Sequence, residues 1–363
     1  MRVLITYASV GAGHRRAAEA IYDYLKNNRK DLKLELVDIL PFASNFFRFC
    51  YNFGYPFLVH YAIWLWGFFF WLTEFELTRW FSRKGALIVN YLGCRKFAAY
   101  LIKEEFDFII STHFLNSELA ANLKLKNKIQ SKLITVITDF GVHPFWVSNG
   151  TDFYIAASEL TRDKLLIMGV VEQKIQASGI PFSPSFIGVQ NRTQLADKFG
   201  IDRNKFTVLI MTGSFGSGPL KEIAASLRCQ AQVLVVCAKN KKLFGRLQKQ
   251  NLENVKVFGF VNNAQELMAV SDVIITKPGG ATITEVLIME LPVIFISAIP
   301  GQETANVEIL AEYGIGISPK NIQEIKSIVV DLKNNPRKIE KLRRKIREIQ
   351  KPFACKELAS VIR

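Results

Sequence analysis

The stretch "TKPGGATITEV", residues 276–286, decides the reading of the chain. It ends the β-branched run "DVIIT" with Pro278, Gly279 and Gly280, and helix-forming residues follow at once. Glu285 falls about one turn into that helix. A strand that gives way to a helix through glycines exposes the first backbone amides of the helix, and these attract anions. The amides of Gly280, Ala281 and Thr282 suit a pyrophosphate, and the Glu285 carboxylate can accept both hydroxyls of a ribose. The plainer alternative is a helix start in which Glu285 only complements the dipole.

The same strand–turn–helix unit recurs along the chain. Apolar, β-branched runs appear at "RVLITYA", "LKLELVDI", "FDFIIST", "LITVIT" and "DFYIAAS", and again at "FTVLIM", "QVLVVCA", "VKVFGF", "DVIIT" and "PVIFIS". Helix-length segments separate them, which predicts parallel sheets covered on both faces. The pattern occurs twice, so the fold class is α/β with two Rossmann-like domains. The 363 residues agree with two cores. The break falls in "SGIPFSPSFIGV" (178–189), giving domains over 1–180 and 181–350 and a terminal segment, 351–363, expected to pack back on the first domain.

In the first half, "YASVGAGHRRAAEAI" (7–21) places Gly11 and Gly13 in a tight turn before a helix that buries Ala17, Ile21 and Leu25. His14 sits at the start of that helix. A helix N-terminus disfavours imidazolium, so His14 is expected to stay neutral and able to accept a proton near pH 7. A dinucleotide fingerprint with Asp38 on a ribose fails, because Arg16 stands where the third glycine belongs. In the second half, "LIMTGSFGSG" (209–218) offers a phosphate-sized loop at Gly213, Ser214 and Gly216 but lacks the GK[ST] of a P-loop. "PGQETANVEIL" gathers Gln302, Glu303 and Asn306 at a helix start, a set suited to sugar hydroxyls or to capping alone. His113 in "ISTHFLNSEL" and Asp139 and His143 in "TDFGVHPFW" are further candidates. There is no Asp-x-Asp triplet to hold a divalent ion on a diphosphate.

The net charge of +15 and pI near 9.5 call for an anionic partner: nucleic acid, a phosphorylated ligand or an anionic bilayer. No helix-turn-helix or zinc pattern supports nucleic acid. The five cysteines are scattered without a CxxC pair, as in a reduced protein. Residues 49–73 contain no Asp, Glu, Lys or Arg, and 12 of the 25 are aromatic. Length alone makes the run a transmembrane candidate. Asn52, Gly54, Pro56, His60 and Gly67 interrupt it, and Trp and Tyr prefer the interface. With Arg48, Arg79, Arg83 and Lys84 beside it, the run is expected to lie in the plane of an anionic bilayer through Trp64, Trp66, Phe69 and Trp71, rather than to span it or to form core.

"GAGHRRAAEAI", "TDFGVHPFW", "TKPGGATITEV" and "PGQETANVEIL", in this order along nearly the whole chain, resemble the monogalactosyldiacylglycerol synthase and processive diacylglycerol glucosyltransferase family. That family is related to the bacterial lipid II-forming GlcNAc transferase. The resemblance implies a GT-B fold, two Rossmann-like domains facing a cleft. It implies metal-free, inverting transfer of a hexose from a UDP-sugar to a membrane lipid such as diacylglycerol or a glycosyl-diacylglycerol, with no cofactor. Helix dipoles and basic residues would then stabilise the leaving UDP. Carried onto this chain, Glu285 holds the ribose, the amides of Gly280 to Thr282 and the Gly213–Gly216 loop face the diphosphate, and Phe260 and Val261 flank the uracil. Gln302, Glu303 and Asn306 grip the sugar, and His14 lies by the acceptor. The enzyme would work at the cytoplasmic face of the membrane as a peripheral or monotopic protein. A GlcNAc transferase acting on a polyprenyl diphosphate lipid and a silent membrane adaptor on the same fold are the alternatives.

Overall fold

The computed structural model describes residues 1–54, 57–58, 61–62, 64–65, 67–68, 76–188 and 191–363, with the side chains of 76–84 left aside. The chain forms two compact units. The first holds Met1–Ser183, Ile299–Asn306 and Phe353–Arg363; the second holds Pro184–Ala298 and Val307–Pro352. The stretch Ile299–Asn306 therefore departs from the expected division, which gave all of 181–350 to the second domain. Its side chains bond to the loop after the fourth strand, as described below.

The first unit is a six-stranded parallel sheet. Its strands are β1 (Arg2–Tyr7), β2 (Lys33–Asp38), β3 (Phe108–Ser111), β4 (Lys132–Val136), β5 (Phe153–Ile155) and β6 (Ile175–Gln176), in the order β2-β1-β3-β4-β5-β6. The interior strands are buried on both faces, which is why they read as unbroken apolar runs. One face packs Val3 and Ile5 against Ile21 and Leu25 of the helix Gly13–Asn28, and Leu358 and Ile362 of the terminal segment join the same core. The other face packs Leu4 and Ile109 against Phe97, Leu101, Leu115 and Leu119.

The second unit is a five-stranded parallel sheet of β7 (Thr207–Met211), β8 (Gln232–Val236), β9 (Val255–Phe258), β10 (Val273–Thr276) and β11 (Val293–Phe295), ordered β11-β10-β7-β8-β9. In each sheet the strand order reverses once, between β1 and β3 and between β7 and β10. Loops leaving the carboxyl ends of two such strands diverge to opposite faces and open a crevice, the ligand position of open α/β sheets. Four of the stretches singled out above lie at these two points: His14 follows β1 and His113 follows β3, whereas Gly213–Gly216 follows β7 and the Gly280 helix follows β10.

No helix among the described residues is long and apolar enough to cross a membrane. Trp64 is exposed, while Trp66, Phe69 and Trp71 lie outside the described residues.

Candidate active site

The candidate site of the first unit is built around His14, half-buried in the first turn of the helix Gly13–Asn28. Its Nδ1 lies 2.8 Å from the Thr112 carbonyl oxygen and 2.7 Å from Thr138 Oγ1. A carbonyl oxygen can only accept, so Nδ1 carries the proton and Nε2 keeps its lone pair. Burial lowers the His14 pKa below its usual 6.5, and the charge of Asp139 opposes this. Thr112 also donates its hydroxyl to the His14 carbonyl at 2.9 Å, tying the helix start to the end of β3. Neither threonine stands out in the sequence, because both act across about a hundred residues of chain; Thr138 opens the quoted "TDFGVHPFW" stretch.

His113 is buried, 4.5 Å from His14 between ring centroids and edge-on to it. Its Nδ1 accepts the Leu115 amide at 3.2 Å and so caps the helix Phe114–Leu125. Phe114 stacks on His113 at 4.4 Å, and Trp146 lies 6.3 Å from His14 and 6.0 Å from Phe114. Two neutral imidazoles thus share an aromatic surround. His143 instead caps the turn Pro144–Trp146, its Nδ1 accepting the Phe145 amide at 3.3 Å. Gly11 takes φ +79° in the preceding loop, and Gly13 opens the helix. Asp38, the rival ribose ligand, accepts the Ser9 and Leu40 amides on one oxygen.

Asp139 is buried after β4, and burial raises its pKa. Gln302 Nε2 and Asn306 Nδ2 each donate to its carboxylate at 3.2 Å. Asn306 Oδ1 accepts the Phe140 amide at 2.7 Å and the Gly141 amide at 2.9 Å. Asn306 is fully buried, so the expectation that it grips the sugar is corrected: its polar atoms are committed to the 139–141 loop. The approach is close enough that a Cβ at Gly141 would collide with Ala305. Glu303 accepts the Ile299 amide at 2.7 Å, the capping geometry raised as the plainer reading.

The candidate residues of the second unit lie around the β7/β10 reversal. The helix Gly280–Ile288 starts after Gly279, which supplies no side-chain cap; the first helical bond runs from the Ile283 amide to the Gly279 carbonyl. The amides of Gly280, Ala281 and Thr282 therefore stand outside the helical ladder. Glu285 is buried on this helix. In the loop after β7, Gly213 and Gly216 take φ +75° and +56°. A Cβ at Gly216 would collide with the Cys237 carbonyl, so this turn admits only glycine. Asn240 Nδ2 holds the Gly216 carbonyl at 3.1 Å, and Ser214 is half-buried in the same loop. Phe260 is exposed after β9, with Val261 half-buried beside it. Ala238 and Ser297, just past β8 and β11, are non-glycine residues at φ +49° and +52°. Such strain collects at ligand sites, and nothing in the sequence marks it. Among the described residues no cluster of three or more His, Cys, Asp or Glu could hold a metal ion.

Residues 14–182 match the monogalactosyldiacylglycerol (MGDG) synthase family, and residues 207–355 the C-terminal domain of glycosyltransferase family 28. A processive diacylglycerol beta-glucosyltransferase of Bacillus pumilus is 28% identical over 96% of this chain and 91% of its own. Monogalactosyldiacylglycerol synthase 3 of Arabidopsis thaliana is 30% identical over 99% of this chain and 80% of its own. The chain belongs to the MGDG synthase and diacylglycerol glucosyltransferase family. The paired Rossmann-like sheets of this family member are a GT-B fold. MurG of Acinetobacter baumannii superimposes with a TM-score of 0.61 over 99% of both chains at 14% identity. Anabaena HepE in complex with UDP gives 0.59 over 100% of this chain and 99% of its own at 16% identity. As a member of this family the protein is a glycosyltransferase.

Proposed function

We propose that the protein is an inverting, metal-independent transferase. It moves a hexose from a UDP-sugar to a hydroxyl of diacylglycerol or a glycosyl-diacylglycerol at the cytoplasmic face of a membrane. The observation that carries the mechanism is the tautomer of His14. With its proton held on Nδ1 by the Thr112 carbonyl, Nε2 offers a lone pair to an acceptor hydroxyl. As the hydroxyl oxygen bonds to the anomeric carbon, its proton passes to Nε2. The bond from that carbon to the diphosphate oxygen breaks with its electron pair, and UDP leaves. The Asp139 charge favours the imidazolium that forms. The aromatic surround of Phe114 and Trp146 suits a lipid acceptor and keeps water from competing with it.

On the donor side, Glu285 binds the ribose hydroxyls and Phe260 and Val261 flank the base. The Gly280–Thr282 amides and the Gly213–Gly216 loop receive the diphosphate, and Gln302 and Glu303 meet the sugar. The lipid-facing surface extends beyond the aromatic run. Phe46, Phe49, Phe53, Phe57, Tyr61, Trp64 and Phe68 are exposed, and so are Ile88, Val89 and Leu92 on the helix Glu76–Gly93. Gly67 of the run lies against Pro300, two residues before Gln302. Sequence reading missed Ile88, Val89 and Leu92, because their spacing at i, i+1 and i+4 is also that of a core face.

The test is incubation of purified protein with a panel of UDP-sugars and vesicles of defined lipids, with products weighed. Wild-type protein should extend diacylglycerol by a hexose, and His14→Ala should lower turnover by about 10²–10⁴ while UDP still binds. A His14→Ala variant with near-normal turnover would remove the base from the mechanism.

A further inference from the structure

The two histidines of the first unit have opposite polarity, although both are neutral imidazoles. His14 Nδ1 faces a carbonyl oxygen, which can only accept, so His14 carries its proton there and its Nε2 is a lone pair. His113 Nδ1 faces the Leu115 amide, which can only donate, so Nδ1 is the lone pair and Nε2 carries the proton. Among the described residues neither Nε2 has a hydrogen-bond partner, and neither is one of the sealed, unpartnered side-chain atoms. The rings stand edge-on with centroids 4.5 Å apart. An oxygen about 2.8 Å from each of two nitrogens spans a separation of up to about 5.6 Å. The two adjacent rings therefore carry one acceptor and one donor between them. An anion such as a phosphate requires donors alone and would be repelled by the His14 lone pair. A hydroxyl requires both.

We propose that His14 and His113 bind one and the same acceptor hydroxyl, His14 Nε2 accepting its proton and His113 Nε2–H donating to its oxygen. This rests on the transferase reading above and adds a second substrate-touching residue to it. The donated hydrogen bond orients the oxygen lone pair that attacks the anomeric carbon. It also keeps the hydroxyl proton directed at His14, since an oxygen that accepts from one ring donates to the other.

Two substitutions separate this role from the capping of the helix Phe114–Leu125. Asparagine places its Oδ1 where imidazole has Nδ1, so His113→Asn keeps the cap and loses the distal donor. Glutamine places its Nε2 where imidazole has Nε2, so His113→Gln keeps the donor and loses the cap. The expected result is an inversion. His113→Asn should unfold at or above the wild-type midpoint yet lose up to about ten-fold in kcat, the worth of one hydrogen bond to a neutral oxygen. His113→Gln should unfold earlier yet transfer faster than His113→Asn. UDP affinity should be unchanged in both. If the wild type transfers hexose and the two variants rank in the order of their stabilities, this inference falls alone. If the wild type transfers to no lipid, the functional reading falls and takes the inference with it. Nitrogen-15 NMR of histidine-labelled full-length protein provides a check independent of turnover. It should show His14 protonated on Nδ1 and His113 on Nε2, and the same tautomer in both would overturn the proposal.

Discussion

Replacing Asn306 by alanine should unfold the first unit before it affects donor binding. The Asn306 side chain is hydrogen-bonded in a fully buried position: its oxygen takes the Phe140 and Gly141 amides, and its nitrogen donates to Asp139. Alanine leaves two amide donors and one carboxylate oxygen unmet. Each unmet buried group costs about 1–3 kcal/mol. Even if water reaches one of them, a loss of about 3 kcal/mol follows, and about 6 is within range. With a urea slope of about 2 kcal/mol per M, the midpoint falls by about 1.5–3 M. The assay is tryptophan emission during urea unfolding. All five tryptophans (64, 66, 71, 80 and 146) lie in Met1–Ser183, so the signal reports the first unit. Calorimetry should find UDP affinity within about twofold of wild type where the variant is folded. A midpoint shift worth less than 1 kcal/mol together with a large loss of turnover would refute this reasoning, because Asn306 would then be acting on the sugar.

Glu285→Ala should weaken UDP binding about ten- to hundred-fold, the cost of losing hydrogen bonds to a charged group; unchanged calorimetric affinity in a folded variant would dismiss the ribose role. Gly216→Ala should abolish UDP binding, since the new Cβ meets the Cys237 carbonyl at a left-handed position, and a crystal structure showing an unmoved loop would contradict this. Because burial lowers the His14 pKa, the neutral base persists on acidification, and the acid limb of kcat/KM should lie below pH 6.5; a limb at higher pH would assign it to another group. The same lowering in His14 and His113 makes the unfolded chain bind protons first, so their contribution to stability is present above pH 6.5 and is lost as pH falls below it; the raised Asp139 pKa has the opposite sign, stabilising below about 3.8 and fading as pH rises through its folded value. Wild-type protein should sediment with anionic vesicles in high salt, and changing Trp64, Trp66, Phe69 and Trp71 to serine should abolish this persistent binding while sparing UDP affinity; a folded variant that still pellets would place the run in the core.

The two parallel, doubly covered sheets were legible because their interior strands are buried on both faces and so appear as unbroken apolar runs; the order of the strands was not. The turns at Gly11–Gly13 and Gly279–Gly280 were legible as strand-to-helix breaks, but that they sit where the strand order reverses was not. What lay beyond the sequence was long-range. The Thr112 carbonyl, just past β3, fixes the tautomer of His14, and Thr138, just past β4, packs its hydroxyl against the same nitrogen. Asn306 and Glu285 are both polar residues beside a helix start, and no local pattern told that Asn306 would bond backwards to Asp139 and its neighbours. The left-handed conformations of Ala238 and Ser297 have no residue signature, because glycine is the usual occupant of such positions.

The first unit is assembled from three separated pieces of chain, the last of them Phe353–Arg363. A protein emerges from the ribosome amino end first, and domains ordinarily fold in that order. Here the order is inverted. The second unit has all of its residues once Pro352 is made, whereas the sheet bearing His14 still lacks Leu358 and Ile362 from its core. A fragment cut at Ser183 would also leave the Phe140 and Gly141 amides without Asn306. Cutting the chain before Leu358 should therefore loosen the sheet that bears His14 while leaving every residue of the second unit in place.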